Sequence, residues 1–364
     1  MAKLPPRLQR LADSLDDLAL DAMLVTDEIN VRYLSGFSGD SSYLLVTSQG
    51  TTILSDDRYT AQIAEQCRGI ETQIRSSTQL LRDIVKETVA QSGAKRVGIE
   101  ADKITLAEYR FLEAACEGTV FVATTTVVEK LRMIKDEGEI ASTRRAVEIA
   151  ERVFTELVPT LTRENTERAI AHDLEHRMRL LGAEGCSFAP IVAAGPGGAL
   201  PHYQPQDLEL AHHKSLLIDW GAQFQGYASD LTRTLHQENV SDAFKRAYEG
   251  VLEAQLAAIE MIRPGVPVRE VDAAARGALG RHGILDAFKH GLGHGTGLQI
   301  HEAPRMSPVS DEILASGMII TVEPGVYYDG DFGIRIEDDI LVTESGHEVL
   351  SNLPKGLDDC RFIL

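Results

Sequence analysis

Apolar residues recur along this chain with two different periods, and the changes of period mark out its elements. Leu8, Leu11, Leu15 and Leu18 fall at helical spacing with charged residues between them, which predicts an amphipathic helix near the start. Beyond it, short apolar runs at 22–25, 43–46, 52–54 and 96–99 alternate with helical stretches around 58–68, 78–92 and 105–117. Strands interleaved with helices in this way predict an α/β domain. A helix start with acids in its first turn follows at Asp136, Glu137 and Glu139, and Ile140, Val147, Ala150, Phe154 and Leu157 give that helix one apolar face. The boundary falls within 126–136, where no Gly/Ser tract supplies a long flexible connection, so a short linker is expected between an N-terminal domain, 1–130, and a second domain, 131–364.

In the second domain the period shortens to that of strands. Residues 216–221 and 228–234 read as two strands joined through Gln223, Phe224, Gln225 and Gly226. Asp219 and Asp230 are symmetric about Phe224 and Gln225, so a hairpin folded there sets the two carboxylates opposite one another. A second hairpin repeats the device: 319–323 and 334–340 flank the turn Asp329-Gly330-Asp331, and Glu323 and Glu337 are symmetric about Gly330. Alternation along the returning strand puts Arg335, Glu337 and Asp339 on one face and Ile334, Ile336 and Ile340 on the other. The first face is expected to carry the chemistry and the second the core.

The two hairpins belong to a longer repeat. Asp219 and Glu323 are 104 positions apart, Asp230 and Glu337 are 107 apart, and His202 and His301 are 99 apart. Each half reads helix, Gly-rich loop with a histidine, then acid-bearing hairpin. A period near 100 residues points to a duplicated α+β half, because solenoid repeats run to about 20–50 residues.

Five residues in these stretches form a candidate metal site: Asp219, Asp230, His294, Glu323 and Glu337. Four carboxylates and one imidazole suit hard or borderline divalent ions, and without cations the four charges would repel by several kcal/mol. One acid beside a turn is ordinary. Two pairs inside Val/Ile/Leu strands are not, since buried charges are normally paired or metal-bound. The stretch from His290 to Glu302 has alternating glycines but neither a G-x-G-x-x-G register nor a Lys-Ser/Thr ending, which argues against a nucleotide loop. Its glycines instead let backbone come close to a ligand and present His294 to metal and His301 to substrate. A second Gly/Pro-rich loop, from Gly195 to Tyr203, carries His202, for which a plain surface position is the alternative.

These stretches resemble the pita-bread metallopeptidases, in particular the proline-specific branch of aminopeptidase P and prolidase. The resemblance rests on Asp219 with Asp230, His294 among its glycines, Glu323 before Pro324 and Gly325, and Glu337 after Arg335 and Ile336. It extends to residues 30–37 and 55–60, which are similar to the N-terminal domain of that branch. The resemblance implies a creatinase/prolidase-like α/β domain followed by an α+β catalytic domain of two halves around a curved central sheet. It implies two divalent ions, Mn²⁺ first and Zn²⁺ or Co²⁺ as alternatives, with Asp230 and Glu337 bridging, Asp219 completing one ion and His294 with Glu323 the other. Glu323 would also move a proton, His202 and His301 would steady the reacting carbonyl, Arg335 would hold a carboxylate ligand, and Arg305 would meet the free carboxylate of a dipeptide. His290 is expected to support the site without ligating. A homodimer is implied, with Asp57, Arg58 and Tyr59 either reaching a partner or forming an internal turn, the latter preferred.

The implied activity is hydrolysis of the bond between an N-terminal residue and proline, as an Xaa-Pro aminopeptidase, with a prolidase restricted to dipeptides as the alternative. A non-catalytic pita-bread binding protein, a metal-free creatinase-like hydrolase and a methionine aminopeptidase-like enzyme are the rival classes. An intact ligand set weighs against the first two, and the extra N-terminal domain against the third.

Composition narrows the partners. The 364 residues are 43% hydrophobic, enough for full cores, and 36 Lys+Arg against 55 Asp+Glu leave a net charge of −19. Nucleic acid or an anionic membrane would call for a basic surface, so peptides containing proline are the expected partners. Cys67, Cys116, Cys186 and Cys360 are scattered, with no C-x-x-C spacing, as expected of reduced thiols in the cytoplasm. The lead-in from Met1 to Arg7 has no signal-peptide character.

Overall fold

A computed structural model describes residues 5–363, and the chain divides into two compact units, Met1–Arg132 and Met133–Leu364. Met1 to Leu4, part of the lead-in without signal-peptide character, lie outside the described residues.

The first unit opens with α1 (Pro6–Asp17), β1 (Ala22–Val25), α2 (Glu28–Ser35), β2 (Tyr43–Thr47), β3 (Thr51–Asp56) and α3 (Thr60–Gln66). It continues with β4 (Glu71–Arg75), α4 (Leu81–Ser92), β5 (Arg96–Glu100), α5 (Leu106–Ala115), β6 (Val120–Thr124) and α6 (Val127–Met133). The strands form one mixed sheet in the order β4-β3-β2-β1-β5-β6. Its edge strands are partly exposed, at Glu71, Thr72 and Val120, whereas the central β1 is buried throughout.

The linker expected within 126–136 is instead largely helical. Val128 and Arg132 make α6 a buried-face helix, and Arg132 donates to the Oδ1 atom of the fully buried Asn30 at 2.8 Å. The Asn30 amide also donates to Glu100 and to Glu129, each at 2.7 Å, so residues of α2 singled out in the sequence tie β5 and α6 together. Asp57, Arg58 and Tyr59 form an internal strand-to-helix turn in which Arg58 pairs with Asp56 at 2.7 Å.

The second unit begins with α7 (Glu137–Leu157), whose N-cap Asp136 accepts from the Glu139 amide while the Glu139 carboxylate accepts from the Asp136 amide. Next come α8 (Glu167–Leu180), β7 (Gly185–Cys186), β8 (Ile191–Ala194), β9 (Ser215–Trp220), β10 (Ala222–Phe224), β11 (Tyr227–Ala228) and β12 (Leu231–His236). The second half follows with α9 (Asp242–Met261), α10 (Val268–Arg281), β13 (Gly293–Gly295), β14 (Glu302–Met306) and β15 (Ile319–Val322). It closes with β16 (Gly325–Tyr328), β17 (Phe332–Arg335), β18 (Asp338–Val342) and β19 (His347–Val349).

The repeat is visible in the strand pairing. In the first half β8, β9 and β12 form an antiparallel trio, and in the second half β13, β15 and β18 do the same. A bridge from Thr232 to Glu337 joins the halves, with the Glu337 amide donating to the Thr232 carbonyl at 3.1 Å. Trp220 anchors the core behind this seam. It is fully buried, stacks on Phe154 at 4.5 Å and donates its indole N–H to the Ala150 carbonyl at 3.0 Å.

The two hairpins differ in how closely they follow the sequence. Val322 pairs with Asp338 and Gly325 with Arg335, so Glu323 and Glu337 lie level, as their symmetry about Gly330 required. In the first hairpin Trp220 pairs with Leu231 and Phe224 with Tyr227, which moves the turn to Gln225 and Gly226. Both take positive φ, 51° and 84°, as a two-residue hairpin turn matched to strand twist demands. Asp219 therefore sits opposite Thr232, not opposite Asp230. The two acids still share a face, because Asp230 precedes Thr232 by two residues.

Among the described residues no helix is long and apolar enough to cross a membrane.

Candidate metal centre

The seam between the halves gathers the five candidate ligands. Asp219 comes from β9, Asp230 from just before β12, His294 from the middle of β13, Glu323 from just past β15, and Glu337 from the break between β17 and β18. Ligand atoms of Asp230, His294 and Glu337 all lie within 4.8 Å of one another. His294 Nε2 is also 3.5 Å from both Asp230 Oδ2 and Glu323 Oε1. Glycine is required on either side of His294. A Cβ on Gly293 would stand 2.3 Å from the Thr321 carbonyl oxygen, and one on Gly295 2.1 Å from that of Ala303. The neighbouring strands thus close directly on the backbone on either side of His294.

The tautomer of His294 follows from its neighbours. Nδ1 lies 3.0 Å from the Gly295 carbonyl, which can only accept, so Nδ1 carries the proton and Nε2 presents a lone pair to the carboxylates. Burial reinforces this by holding the imidazole down to about 4, well below its ordinary value. A lone pair facing two carboxyl groups at 3.5 Å is the donor set of a cation site. Asp219 Oδ1, buried and without a hydrogen-bond partner, adds another open donor. These residues fit divalent metal.

The carboxylates show the cost of the arrangement when no cation balances it. Burial, then repulsion from Glu337, Asp219 and Glu323, raises Asp230 well above the ordinary range. Burial, then Glu323 and Asp219, does the same to Glu337, and burial pushes Glu323 up to about 8. Burial also raises Asp219, with Arg335 pulling in the opposite direction.

Arg335, expected to hold a carboxylate ligand, donates from Nη2 to Oδ2 of the candidate ligand Asp219 at 2.5 Å, across the seam. Its Nη1 donates to the Tyr327 hydroxyl at 2.9 Å and its Nε to the Thr232 hydroxyl at 3.2 Å. His290, bonded through Nδ1 to the Gly291 carbonyl at 2.7 Å, accepts from the Tyr327 hydroxyl at 3.0 Å. One buried chain therefore runs from Asp219 through Arg335 and Tyr327 to His290.

Strand alternation could not reveal several other supports. Thr232 donates to Glu337 Oε2 at 2.6 Å, Asp339 Oδ2 accepts from the Asp230 amide at 2.9 Å, and Thr321 Oγ1 accepts from the His294 amide at 3.1 Å. The face expected to be apolar also carries Asp338, almost fully buried, which pairs with Arg233 at 2.7 Å and Lys355 at 2.6 Å. Arg233 Nη1 in turn donates to the Glu337 carbonyl at 2.6 Å, so this ion pair fixes the backbone that bears the candidate ligand. An Asp at the same strand parity as Ile334, Ile336 and Ile340 was the available signal.

The two histidines expected to act without ligating, His301 and His202, are both exposed. His301 is exposed and packs edge-on against His294, ring centroids 4.4 Å apart. His202 is exposed on a turn, yet close enough to influence Asp219, His290 and His301 electrostatically. Arg305 is exposed on β14 directly across from His294 in register, so both side chains leave the same face of the sheet. Lys135, buried, pairs with Glu302 at 3.4 Å beside His301.

A buried carboxylate–imidazole cluster at the seam of a duplicated α+β unit defines a metal-dependent hydrolase. The model of metallopeptidase family M24 matches residues 141–344, and that of the Creatinase/Prolidase N-terminal domain matches residues 7–134. The Xaa-Pro dipeptidase of Pyrococcus horikoshii is 33% identical over 355 residues, spanning 96% of this chain and 98% of that protein. An Xaa-Pro dipeptidase structure from Bacillus anthracis matches with a TM-score of 0.93 at 36% identity, covering 96% of this chain and 98% of that one. An X-Pro aminopeptidase structure from Thermotoga maritima matches at 0.89 and 35%, covering 98% and 100%. The chain belongs to metallopeptidase family M24, and its second unit has the pita-bread fold.

Proposed function

We propose that this protein is a two-metal exopeptidase that hydrolyses the bond between an N-terminal residue and proline, acting as an Xaa-Pro aminopeptidase. The observation that carries the proposal is the Nε2 lone pair of His294 facing Asp230 and Glu323 at 3.5 Å, with Glu337 in the same cluster. Asp219, Asp230, His294, Glu323 and Glu337 would hold the two ions. Carboxylate-rich ligation with a single imidazole suits Mn²⁺. When bound, the ions polarise the scissile carbonyl and activate the attacking water.

The chain's own groups do the rest. Glu323 keeps 18% of its side-chain surface exposed, against 11% for Asp219 and 7% for Asp230, so it is the most open of these three towards substrate. It takes the proton from water and delivers it to the proline nitrogen, which has no N–H of its own. His202 and His301 donate to the carbonyl oxygen as it gains charge. Arg335 holds Asp219 in place while Tyr327 and His290 hold Arg335.

His202→Ala is expected to lower kcat roughly a hundredfold or more, the usual cost of one donor to a developing oxyanion, with both metals retained. Metal analysis of the variant checks this, and loss of an ion would mean that His202 is a ligand.

Prolidase activity is the second reading, and Arg305 favours it. Its guanidinium leaves the His294 face, where it can meet a dipeptide's free carboxylate. Arg305→Ala is then expected to lower kcat/KM for Ala-Pro by roughly tenfold to a hundredfold while sparing Ala-Pro-Ala. Equal effects on both peptides would remove Arg305 from substrate selection. The four unpaired cysteines suit a cytoplasmic location, and a homodimer is the assembly to be tested by sedimentation.

A further inference from the structure

His202 must be placed accurately for its proposed role, yet the hydrophobic core does not hold it. From Leu200 to Glu209 no residue is buried. Polar contacts hold this segment instead, and they converge on Glu167, the first residue of α8, which is completely buried. Glu167 Oε1 accepts from the Ala194 amide at 2.7 Å, where the chain enters the loop. Glu167 Oε2 accepts from the Gln206 amide at 2.9 Å, where the chain leaves it. The same Oε2 accepts from the hydroxyl of Tyr203 at 2.9 Å.

Between these points the backbone makes a tight turn. The Tyr203 amide donates to the Leu200 carbonyl at 3.1 Å, with Pro201 and His202 at the central positions and proline where its fixed φ suits such turns. Tyr203 therefore closes the turn with its amide and anchors it with its hydroxyl, next to the histidine. A carboxylate taking three donors forms stronger bonds than a neutral acceptor, and here they fasten both ends and the tip of one loop.

We propose that Glu167 and Tyr203 are positioning residues for His202, forming a clasp that holds its imidazole towards the substrate carbonyl. The proposal rests on the carbonyl role given to His202 above. A purely structural role would stabilise the fold without acting through His202, and a double-mutant cycle separates the two.

The experiment uses metal-loaded full-length protein with Ala-Pro-Ala as substrate and compares Tyr203→Phe, Glu167→Gln, His202→Ala and the His202→Ala/Tyr203→Phe double variant. Tyr203→Phe keeps the ring that lies against Gly197 and removes one hydrogen bond, so a folded enzyme is expected. Its kcat should fall roughly fivefold to thirtyfold, with KM within about twofold and metal content unchanged. On the His202→Ala background the same change should alter kcat by less than about twofold. Glu167→Gln should lower kcat further than Tyr203→Phe, because it also weakens a bond at one end of the loop.

Equal losses from Tyr203→Phe on both backgrounds would overturn the clasp, as would an unimpaired Tyr203→Phe enzyme beside an impaired His202→Ala enzyme. An unimpaired His202→Ala enzyme would instead overturn the carbonyl role of His202 and the clasp with it.

Discussion

Glu337→Ala is expected to lose at least one bound ion and to lower turnover by roughly a thousandfold or more, equivalent to about 4 kcal/mol of barrier. The fold should survive, because the backbone at this position is held independently of the carboxylate. The Glu337 amide donates to the Thr232 carbonyl, and the Glu337 carbonyl accepts from Arg233 Nη1 at 2.6 Å. Removing one of several mutually repelling buried carboxylates should also leave the metal-free variant no less thermally stable than the metal-free parent. Metal analysis, kinetics on Ala-Pro-Ala and thermal melts check the three parts. Near-normal turnover would remove Glu337 from the site.

The second large effect concerns pH. In the metal-free fold Glu323 is raised from 4.5 to about 8 and Asp339 from 3.8 to about 8, both by burial first. An acid whose folded value is raised contributes stability that is complete below its unfolded value and is lost as pH rises through its folded value. His290 and His294 oppose this only below their ordinary 6.5, because both are lowered to about 4. Between pH 6.5 and 8 the carboxylates decide, and the metal-free protein should lose thermal stability as pH rises across that window. Metal requires Glu323 ionised, so the gain in Tm on adding Mn²⁺ should grow over the same range and loading should release protons. Melts in chelator and in Mn²⁺ at the two ends of the window test this. A metal-free protein that is more stable at the higher pH would contradict it.

How far the site could be read in advance depended on whether each contact was local. The second hairpin was legible because Asp329, Gly330 and Asp331 mark its turn, and symmetry about Gly330 set Glu323 level with Glu337. The first slipped by one position at its turn because Gln225, an ordinary residue, adopts a φ of 51° and shares the turn with Gly226. The face carrying Asp219 and Asp230 survived that slip, because both acids keep their parity along the strands. Arg335 could be placed near a carboxylate but not matched to the right one. Its partner Asp219 is 116 positions away in the other half, beyond the reach of strand alternation.

The hydroxyls of Thr232 and Tyr327 were silent because neither carries a charge that asks for a partner. Likewise α6 was taken for a linker because its buried Arg132 looks like a surface residue until Asn30 is seen beside it. The loop of His202 was legible as glycine and proline, but the buried carboxylate that fastens it comes from the start of a helix more than thirty residues earlier.

The central claim is that the cluster at the seam binds two divalent ions and uses them on Xaa-Pro bonds. Its most direct test is to strip purified protein of metal, measure stoichiometry on reloading with Mn²⁺, and assay Ala-Pro and Ala-Pro-Ala before and after. Two ions per chain, with cleavage that disappears on stripping and returns on reloading, is the expected result, and the faster peptide separates dipeptidase from aminopeptidase. Cleavage unaffected by stripping, or no metal bound on reloading, would contradict the claim.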